Sequence, residues 1–274
     1  MNGEVHPFDE AVKQPESDVR LAHAALLWAR DEYEDIAPKQ YLDRLSALAD
    51  RVDGLHASTG TERVEALRDT LVVSASYRGN YEDFANPANS YLNRVIDMRR
   101  GNPVSLGAIW LDIAKQLDWP MFGLAMPGHF LIRYEGVADE VIVDPFNSGR
   151  ILSEEDCTKM YSAMFGDEAV REEFHSERLE TFGILARMLG NLYVLYANAG
   201  DWSRTALILR RLVAVQPRDA VVRAEFGRVL TLLGDFKEAA ATLNEAMTLA
   251  DGDEEKATIN HHLIGLRSKF NEQN

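Results

Sequence analysis

The sequence predicts an α+β protein in two parts, a mixed domain of helices and strands followed by an all-α array. Two observations carry this prediction. Between residues 102 and 147 an apolar helix is followed by three short strands, and from about residue 182 the pattern is continuously helical with an internal repeat. We expect a flexible arm over residues 1–16, a mixed domain over residues 17–180 and helical repeats over residues 181–274.

Three helices are predicted as a lead-in to the mixed domain. Ser17 is the predicted N-cap of a helix that runs through Glu32. Pro38 is expected at the first turn of the second helix. Thr59 and Glu62 have the spacing of a capping box at the start of the third.

The middle of the chain predicts a short helix and then a buried one. The short helix covers roughly Ala88 to Asp97. Asn102 and Pro103 have the residue types of an N-cap and a first helical position, and the helix that they open runs to Leu117. Because this second helix is apolar nearly all round, we expect it to be buried.

Three strands are predicted next, over residues 121–126, 129–134 and 140–144. A Pro127-Gly128 turn separates the first two. Side chains alternate between the faces of a strand, so an even number of residues between the last two strands would place His129 and Asp144 on one face. The two side chains could then touch diagonally.

The helical part repeats with an offset of 34 residues. Ala199-Gly200-Asp201-Trp202 recurs as Leu233-Gly234-Asp235-Phe236. A helix-turn-helix unit of this length is typical of tetratricopeptide repeats. We expect two units and a final, more polar helix over residues 254–270 that caps the array. Such an array predicts a protein or peptide partner.

Composition and charge limit the classes of partner. Of 274 residues, 46% are hydrophobic and 27% charged, as in a globular chain, with 29 basic against 44 acidic residues and a net charge of −15. Binding to nucleic acid requires a basic footprint, so we expect no nucleic acid, and no apolar stretch approaches the roughly 20 residues of a membrane span. The single cysteine, Cys157, excludes an internal disulfide. We expect a cytoplasmic protein.

Five motifs between residues 78 and 147 resemble one bacterial family, of the SirB type. They are Arg78-Gly79-Asn80, Asn89-Ser90-Tyr91-Leu92-Asn93, Arg99-Arg100-Gly101-Asn102-Pro103-Val104-Ser105-Leu106, Pro127-Gly128-His129-Phe130-Leu131 and Asp144-Pro145-Phe146-Asn147. Proteins of this family join an N-terminal transglutaminase-like domain to C-terminal tetratricopeptide repeats. The resemblance covers about Leu21 to Phe270 and implies a papain-like or transglutaminase-like core. It also implies that His129 and Asp144 match the second and third members of a Cys-His-Asp triad.

The cysteine of that triad is absent from the start of the apolar helix. Matching by motif puts Ser105 at its position, whereas counting back from Pro120 puts Pro103 there and leaves no nucleophile. A serine acts only if a base removes its proton, and a first-turn hydroxyl can instead satisfy a spare backbone N–H. Ser105, His129 and Asp144 are therefore a candidate or vestigial triad.

Arg100, Asn102 and Asn147 are the candidate substrate-binding residues. Arg100, with its neighbour Arg99, could hold an acidic group or be solvated beside Asp97. Asn147 could donate to a reacting carbonyl or make an Asx turn.

Other titratable residues are expected to be structural. Cys157 follows three acidic residues, which predict a raised thiol pKa, and we expect it to pack inside the domain. The histidines outside the motifs lack metal-ligand spacing, so we expect no metal and no cofactor. They are His6, His23, His56, His175, His261 and His262.

Two functions remain open from the sequence. The missing cysteine favours a non-catalytic adaptor that binds a peptide or protein, and the resemblance to the family implies a regulatory role. The alternative is an amide hydrolase or acyltransferase that uses Ser105, His129 and Asp144.

Overall fold

The computed structural model describes residues 5–126, 129–137, 139–165 and 177–272. The chain divides into two compact units, Pro15–Leu185 and a second unit made of Met1–Gln14 with Ala186–Asn274. The predicted Pro127-Gly128 turn and His175 lie outside the described residues. None of the helices in the described ranges is long and apolar enough to cross a bilayer.

The helices of the Pro15–Leu185 unit lie mostly ahead of its main sheet. With α1 (Pro7–Ala11) assigned to the second unit, they are α2 (Leu21–Trp28), α3 (Pro38–Asp53), α4 (Gly60–Arg68), α5 (Leu92–Met98), α6 (Pro103–Gln116) and α7 (Glu154–Phe165).

The predicted starts of α3 and α4 are confirmed, and the predicted start of α2 is wrong. Pro38 opens α3, and Thr59 and Glu62 form a reciprocal capping box. Ser17 caps no helix, because its hydroxyl bonds to the neighbouring Asp18 carboxylate at 3.0 Å. Helix α2 begins four residues later, where the Arg20 side chain extends to the buried face of α6.

The short helix before α6 is also displaced from its predicted position. Residues 87–89 form a 3₁₀ turn that the Asn86 side chain caps, and α5 begins only at Leu92. It ends at Met98, and the following C-cap residue, Arg99, has a φ of +55° in the left-handed region. The prediction for α6 is confirmed, since Asn102 is its N-cap and Pro103 its first residue.

Two sheets organise this unit. A small parallel sheet pairs β1 (Arg78–Gly79) with β2 (Arg100–Gly101). The main sheet is antiparallel in the order β6-β5-β4-β3-β7, with β3 (Met121–Met126), β4 (His129–Glu135), β5 (Glu140–Asp144), β6 (Arg150–Leu152) and β7 (Glu177–Leu179). The three predicted strands are confirmed, and β6 and β7 are strands that the sequence pattern did not indicate.

The two faces of the main sheet carry different layers. Phe130 and the residues that alternate with it face α6, where the Phe130 ring lies directly against Gly107. The other face forms a core cluster with α7, which contributes Cys157 and Met160. The strand members of that cluster are Phe122, Leu124, Met126, Leu131, Ile142 and Leu152.

The tip of the β4–β5 hairpin is joined to the lead-in helices. The Asp139 carboxylate accepts the Gly60 N–H at 2.7 Å and the Thr61 N–H at 3.3 Å. N–H groups in the first turn of a helix have no acceptor within the helix itself. The hairpin therefore completes the N-terminal capping of α4, which lies far from it in sequence.

The second unit consists mainly of consecutive helices. They are α8 (Thr181–Asn198), which begins in the first unit, α9 (Trp202–Val215), α10 (Ala220–Leu233), α11 (Phe236–Leu249) and α12 (Asp253–Glu272). Helix α10 packs against α9 and α11, and α12 packs against both α10 and α11.

The 34-residue offset corresponds to a repeated turn in the backbone. Gly200 has a φ of +70° and Gly234 a φ of +82°. Each is followed by an aspartate, Asp201 or Asp235, whose carboxylate caps the next helix. Glycine reaches this left-handed region without strain and allows the first helix of each pair to stop.

The stretch that we expected to be a flexible arm contains a helix within residues 5–14. Phe8 of α1 is fully buried. Asp9 forms an ion pair at 2.8 Å with Arg211 of α9, whose side chain is only 5% exposed. Burial of an aromatic ring and neutralisation of a buried guanidinium give this segment a fixed place in the second unit.

Candidate functional site

The N-terminal end of α6 is built around a reciprocal capping box. The Asn102 Oδ1 accepts the Ser105 N–H at 2.9 Å, and the Ser105 Oγ accepts the Asn102 N–H at 3.1 Å. Both residues are buried, and the Ser105 side chain is fully inaccessible. This end of α6 is where the sequence placed the missing nucleophile.

The Ser105 hydroxyl also donates its proton to a backbone carbonyl. It donates to the Asn89 carbonyl oxygen at 2.6 Å, with a second carbonyl, that of Asn102, at 3.1 Å. The single proton of the hydroxyl is therefore committed to a backbone carbonyl, and one of its lone pairs accepts an N–H, so both contacts hold the first turn of α6.

A buried polar network extends from this hydroxyl into the preceding loop. The Asn89 Oδ1 accepts from Asn80 at 2.9 Å, and its Nδ2 donates to the Asp83 carbonyl at 2.7 Å. Ser90 accepts from the Asn102 side chain at 2.8 Å. Sequence reasoning included Asn80, Asn89 and Ser90 in its motifs without assigning them a role; their pairing depends on the loop conformation, which local patterns do not reveal.

Gly101 allows the parallel pair β1–β2 to lie close to α6. A methyl group there would stand 2.6 Å from the Ser105 Oγ and 2.9 Å from Val95. Arg100, a substrate-binding candidate, lies beside it in β2, opposite Arg78. The small sheet thus brings a backbone, rather than a side chain, up to Ser105.

The strand register places His129 and Asp144 on one face of the sheet. Glu135 is paired with Glu140, so four residues connect the strands, and Ile132 is paired with Val143. Asp144 therefore lies opposite Leu131, one pair away from His129. The even spacing behaves as the sequence predicted, while a hydrogen bond between the two side chains stays a prediction.

The Asp144 carboxylate organises the turn that follows it. Its Oδ1 accepts the N–H groups of Phe146 and Asn147 at 3.0 and 3.1 Å, and its Oδ2 accepts the Asn147 Nδ2 at 2.5 Å. Asp144 is 3% exposed. The Asx turn proposed for Asn147 is in fact made by Asp144, and the Asn147 amide is a donor to it.

Tyr81 connects this turn to the loop near α6. Its hydroxyl donates to the Asn147 Oδ1 at 2.5 Å, and its ring packs against that of Phe146 with the centroids 4.5 Å apart and the planes tilted by 56°. Burial, and then the charge of Asp144, raises the pKa of Tyr81. Tyr81 and Phe84 are both more than half exposed and form an aromatic rim that sequence reasoning did not identify.

The candidate nucleophile lies in a closed part of the structure, and a triad of Ser105 with His129 and Asp144 stays a prediction. Ser105 is enclosed at the start of α6, and α6 packs on the sheet face that carries Phe130. Alternation along β4 turns His129 to the other face, together with Leu131. No substrate can reach the Ser105 hydroxyl without displacing its buried surroundings.

Cys157 is a packing residue of α7, as predicted. It is 2% exposed and belongs to the core cluster between α7 and the sheet. Burial is the largest cause that raises the pKa of its thiol, and the charges of Asp156 and Glu154 add to it. The sequence predicted the direction of the shift from the charges alone. Within the described ranges, no group of three or more histidine, cysteine, aspartate or glutamate side chains could hold a metal ion.

Comparison with known proteins gives one family match and several relatives. The family model described as the transglutaminase-like superfamily matches residues 39–190. A UPF0162 protein of Xylella fastidiosa is 30% identical over 254 residues, which cover 91% of this chain and 90% of that protein. A UPF0162 protein of Pseudomonas aeruginosa is 25% identical and covers 89% of each chain. Human F-box only protein 21 is 29% identical over 150 residues, 50% of this chain and 22% of that protein. No solved structure matches the chain.

Proposed function

The chain belongs to the transglutaminase-like superfamily, and from that premise we propose that it is a non-catalytic adaptor whose helical unit binds a peptide or protein. The observation that carries the proposal is the Ser105 hydroxyl. It stands at the start of α6, is fully buried, and gives its proton to the Asn89 carbonyl at 2.6 Å.

A serine nucleophile needs a different environment. A general base must be within hydrogen-bonding reach of the hydroxyl to remove its proton, and the reacting carbonyl must be able to approach the oxygen. Here a backbone carbonyl holds the proton, and removing it would leave an anion beside that carbonyl oxygen. Cys157 offers no substitute, because it is buried between α7 and the sheet and burial disfavours its thiolate.

The helical unit supplies the binding part of the proposal. The repeated turn at Gly200-Asp201 and Gly234-Asp235 supports a tetratricopeptide-like array of the kind found in SirB-type proteins. Positions related by the 34-residue offset are also alike in burial: Leu192 and Phe226 are both buried, as are Leu209 and Leu243. Stacked helix pairs present extended surfaces, which is the usual basis of partner binding by such arrays.

The proposal includes a regulatory role in the cytoplasm. A single cysteine that is free and buried suits a reducing compartment. The excess of acidic residues argues against nucleic acid as the partner.

A serine-directed fluorophosphonate, followed by mass spectrometry of the intact and digested protein, tests the non-catalytic assignment. We expect no adduct at Ser105 under conditions that label a serine hydrolase completely. An adduct at Ser105 that disappears in a folded His129→Ala variant would show that the residue is a nucleophile.

The alternative is an amide hydrolase or acyltransferase with a Ser105-His129-Asp144 triad. The shared sheet face of His129 and Asp144 is the observation that favours it. In this alternative Asn102, Asn147 and Arg100 would contact the substrate. The same labelling experiment decides between the two functions, because only the triad predicts a His129-dependent adduct.

A further inference from the structure

An apolar groove of about 610 Å³ lies between the last two helices of the second unit. Its apolar lining comes from both α11 and α12, with Leu266 buried and Phe270 50% exposed. The full apolar set is Phe236, Ala240, Leu263, Leu266 and Phe270. The ring of Phe270 meets that of Phe236 edge to face at 5.7 Å, which keeps one end of the groove in shape.

Helix α12 leaves large apolar side chains exposed. The sequence predicted a more polar helix here that would cap the array, but Ile264 is 64% exposed and Phe270 half exposed. An open apolar surface rimmed by polar groups is characteristic of an interaction site.

The charged groups on the rim are basic, and the other polar lining residues are Asn244 and Asn271. Lys237 of α11 and Arg267 of α12 line the groove, and neither carboxylate nor imidazole is among its lining residues. Within the described part of the chain, neither cation forms an ion pair, whereas Arg204, Arg210, Arg223 and Arg228 of the same unit all do. Two available cations beside an apolar surface are conspicuous in a chain with a net charge of −15.

We propose that this groove, Phe236–Asn244 with Leu263–Asn271, binds an acidic amphipathic helix of a partner protein. The proposal rests on the adaptor function and names the class of partner. The lining spans eight residue steps on each helix, about 12 Å at 1.5 Å per residue, which matches roughly two turns of a bound helix. Apolar side chains spaced at i, i+4 and i+7 would enter the groove, and carboxylates beside them would pair with Lys237 and Arg267.

A pair of synthetic helical peptides tests the proposal by fluorescence anisotropy with the full chain. Both carry leucine or phenylalanine at i, i+4 and i+7; one has glutamate and the other lysine at the flanking positions. The net charge of the protein favours the basic peptide, so preferential binding of the acidic one reports the local rim rather than general attraction. Tighter binding of the basic peptide, or binding of neither, would overturn the proposal.

Matched charge reversals locate the site. We expect the double variant Lys237→Glu with Arg267→Glu to raise the Kd of the acidic peptide about tenfold or more. Each reversal removes an attraction and adds a repulsion. Lys256→Glu with Lys269→Glu makes the same change of charge on α12, away from the groove lining, and should have a much smaller effect. Equal effects of the two pairs would contradict the assignment of the groove.

A second copy of the chain is the competing occupant, and sedimentation velocity detects it. If the wild-type chain is a dimer and Phe270→Glu makes it a monomer, the groove is occupied by a second copy of the chain and the proposed partner is ruled out. The result is separable from the adaptor proposal: failure of the peptide to bind leaves the Ser105 labelling test unaffected, and labelling of Ser105 leaves the peptide measurement unaffected.

Discussion

Arg20 binds both carboxylate oxygens of Asp112, with its Nη2 2.8 Å from Oδ2 and its Nε 3.1 Å from Oδ1. Asp112 lies on α6 and is 2% exposed, and it also accepts the Ala22 N–H at 3.2 Å and the Gln116 Nε2 at 3.0 Å. A buried carboxylate requires this many donors. The pair therefore fixes the lead-in helices to the central helix.

Removal of one partner should destabilise the protein strongly. We expect Arg20→Ala to lower the free energy of unfolding by about 3 kcal/mol, because it leaves a buried charge without its cation. Urea unfolding at pH 7 measures this. The exposed pair of Lys39 and Asp43 gives the comparison, since Asp43→Ala should change the same quantity by less than about 0.5 kcal/mol. Similar losses in the two variants would mean that Asp112 is solvated.

Replacement of Ser105 should affect stability rather than activity. Ser105→Ala removes the hydroxyl that accepts the Asn102 N–H and donates to the Asn89 carbonyl, and it leaves these two buried groups with only their 3.2 Å bond to each other. We expect a loss of about 1–3 kcal/mol in the free energy of unfolding. Ser46→Ala removes an exposed hydroxyl that donates to Gln116 and should cost about 0.5 kcal/mol or less. If Ser105→Ala unfolds at the wild-type urea concentration, the hydroxyl does not hold α6 in place.

Gly234 should resist substitution because of its backbone conformation alone. Its φ is +82°, and a methyl group at Cβ would meet no atom within 4 Å, so crowding is not the obstacle. We expect Gly234→Val to cost about 1–3 kcal/mol through strain in the left-handed region. Gly265 in α12 also has open space around its Cβ position, without a positive φ, and Gly265→Ala should stabilise by up to about 1 kcal/mol. Thermal unfolding of both variants measures this difference in stability. If the space around the side chain decided the outcome, Gly234→Val would not be destabilised relative to Gly265→Ala.

Stability at alkaline pH should depend on Tyr193. Burial, and then the hydrogen bond to Glu225 at 2.9 Å, raises the pKa of Tyr193 from 10.0 to about 12. Because the folded state holds this proton more tightly than the unfolded state, the contribution is complete below pH 10 and is lost as the pH rises from 10 towards 12. The difference in unfolding free energy between wild type and Tyr193→Phe should therefore be constant up to about pH 9 and shrink above pH 10. A difference that stays constant to pH 12 would place the pKa of Tyr193 at its ordinary value.

The features that could be predicted from sequence are those that neighbouring residues determine. Asn102 with Pro103, and Thr59 with Glu62, define helix starts within three residues of themselves, and the structure has both. Strands β6 and β7 were missed because each is three residues long and lies at an edge of the sheet, where pairing with a distant strand decides the conformation. The start of α2 was predicted too early, because the Ser17 hydroxyl bonds to Asp18 and the contact of Arg20 with Asp112, 92 residues away, lies at the actual start of the helix.

The same distinction applies to the candidate site. The connection between β4 and β5 has an even number of residues, which follows from local spacing. The shared face of His129 and Asp144 follows from the same spacing. The fate of the Ser105 hydroxyl does not, because its acceptor is a backbone carbonyl 16 residues earlier in a loop. A motif indicates which residue occupies a position, whereas the loop around it determines whether the hydroxyl is available.

The Asp139 contact with the start of α4 bears on how the chain is made. A ribosome releases α4 long before it reaches Asp139, which lies 79 residues after Gly60. During that interval Thr59 is the side chain that caps the helix, and the N–H groups of Gly60 and Thr61 are left to water. Closing such a separation is slow compared with forming a helix, and this contact of α4 can form only after the β4–β5 hairpin has been synthesised. The first turn of α4 therefore gains its full native capping only after the middle of the domain has been synthesised.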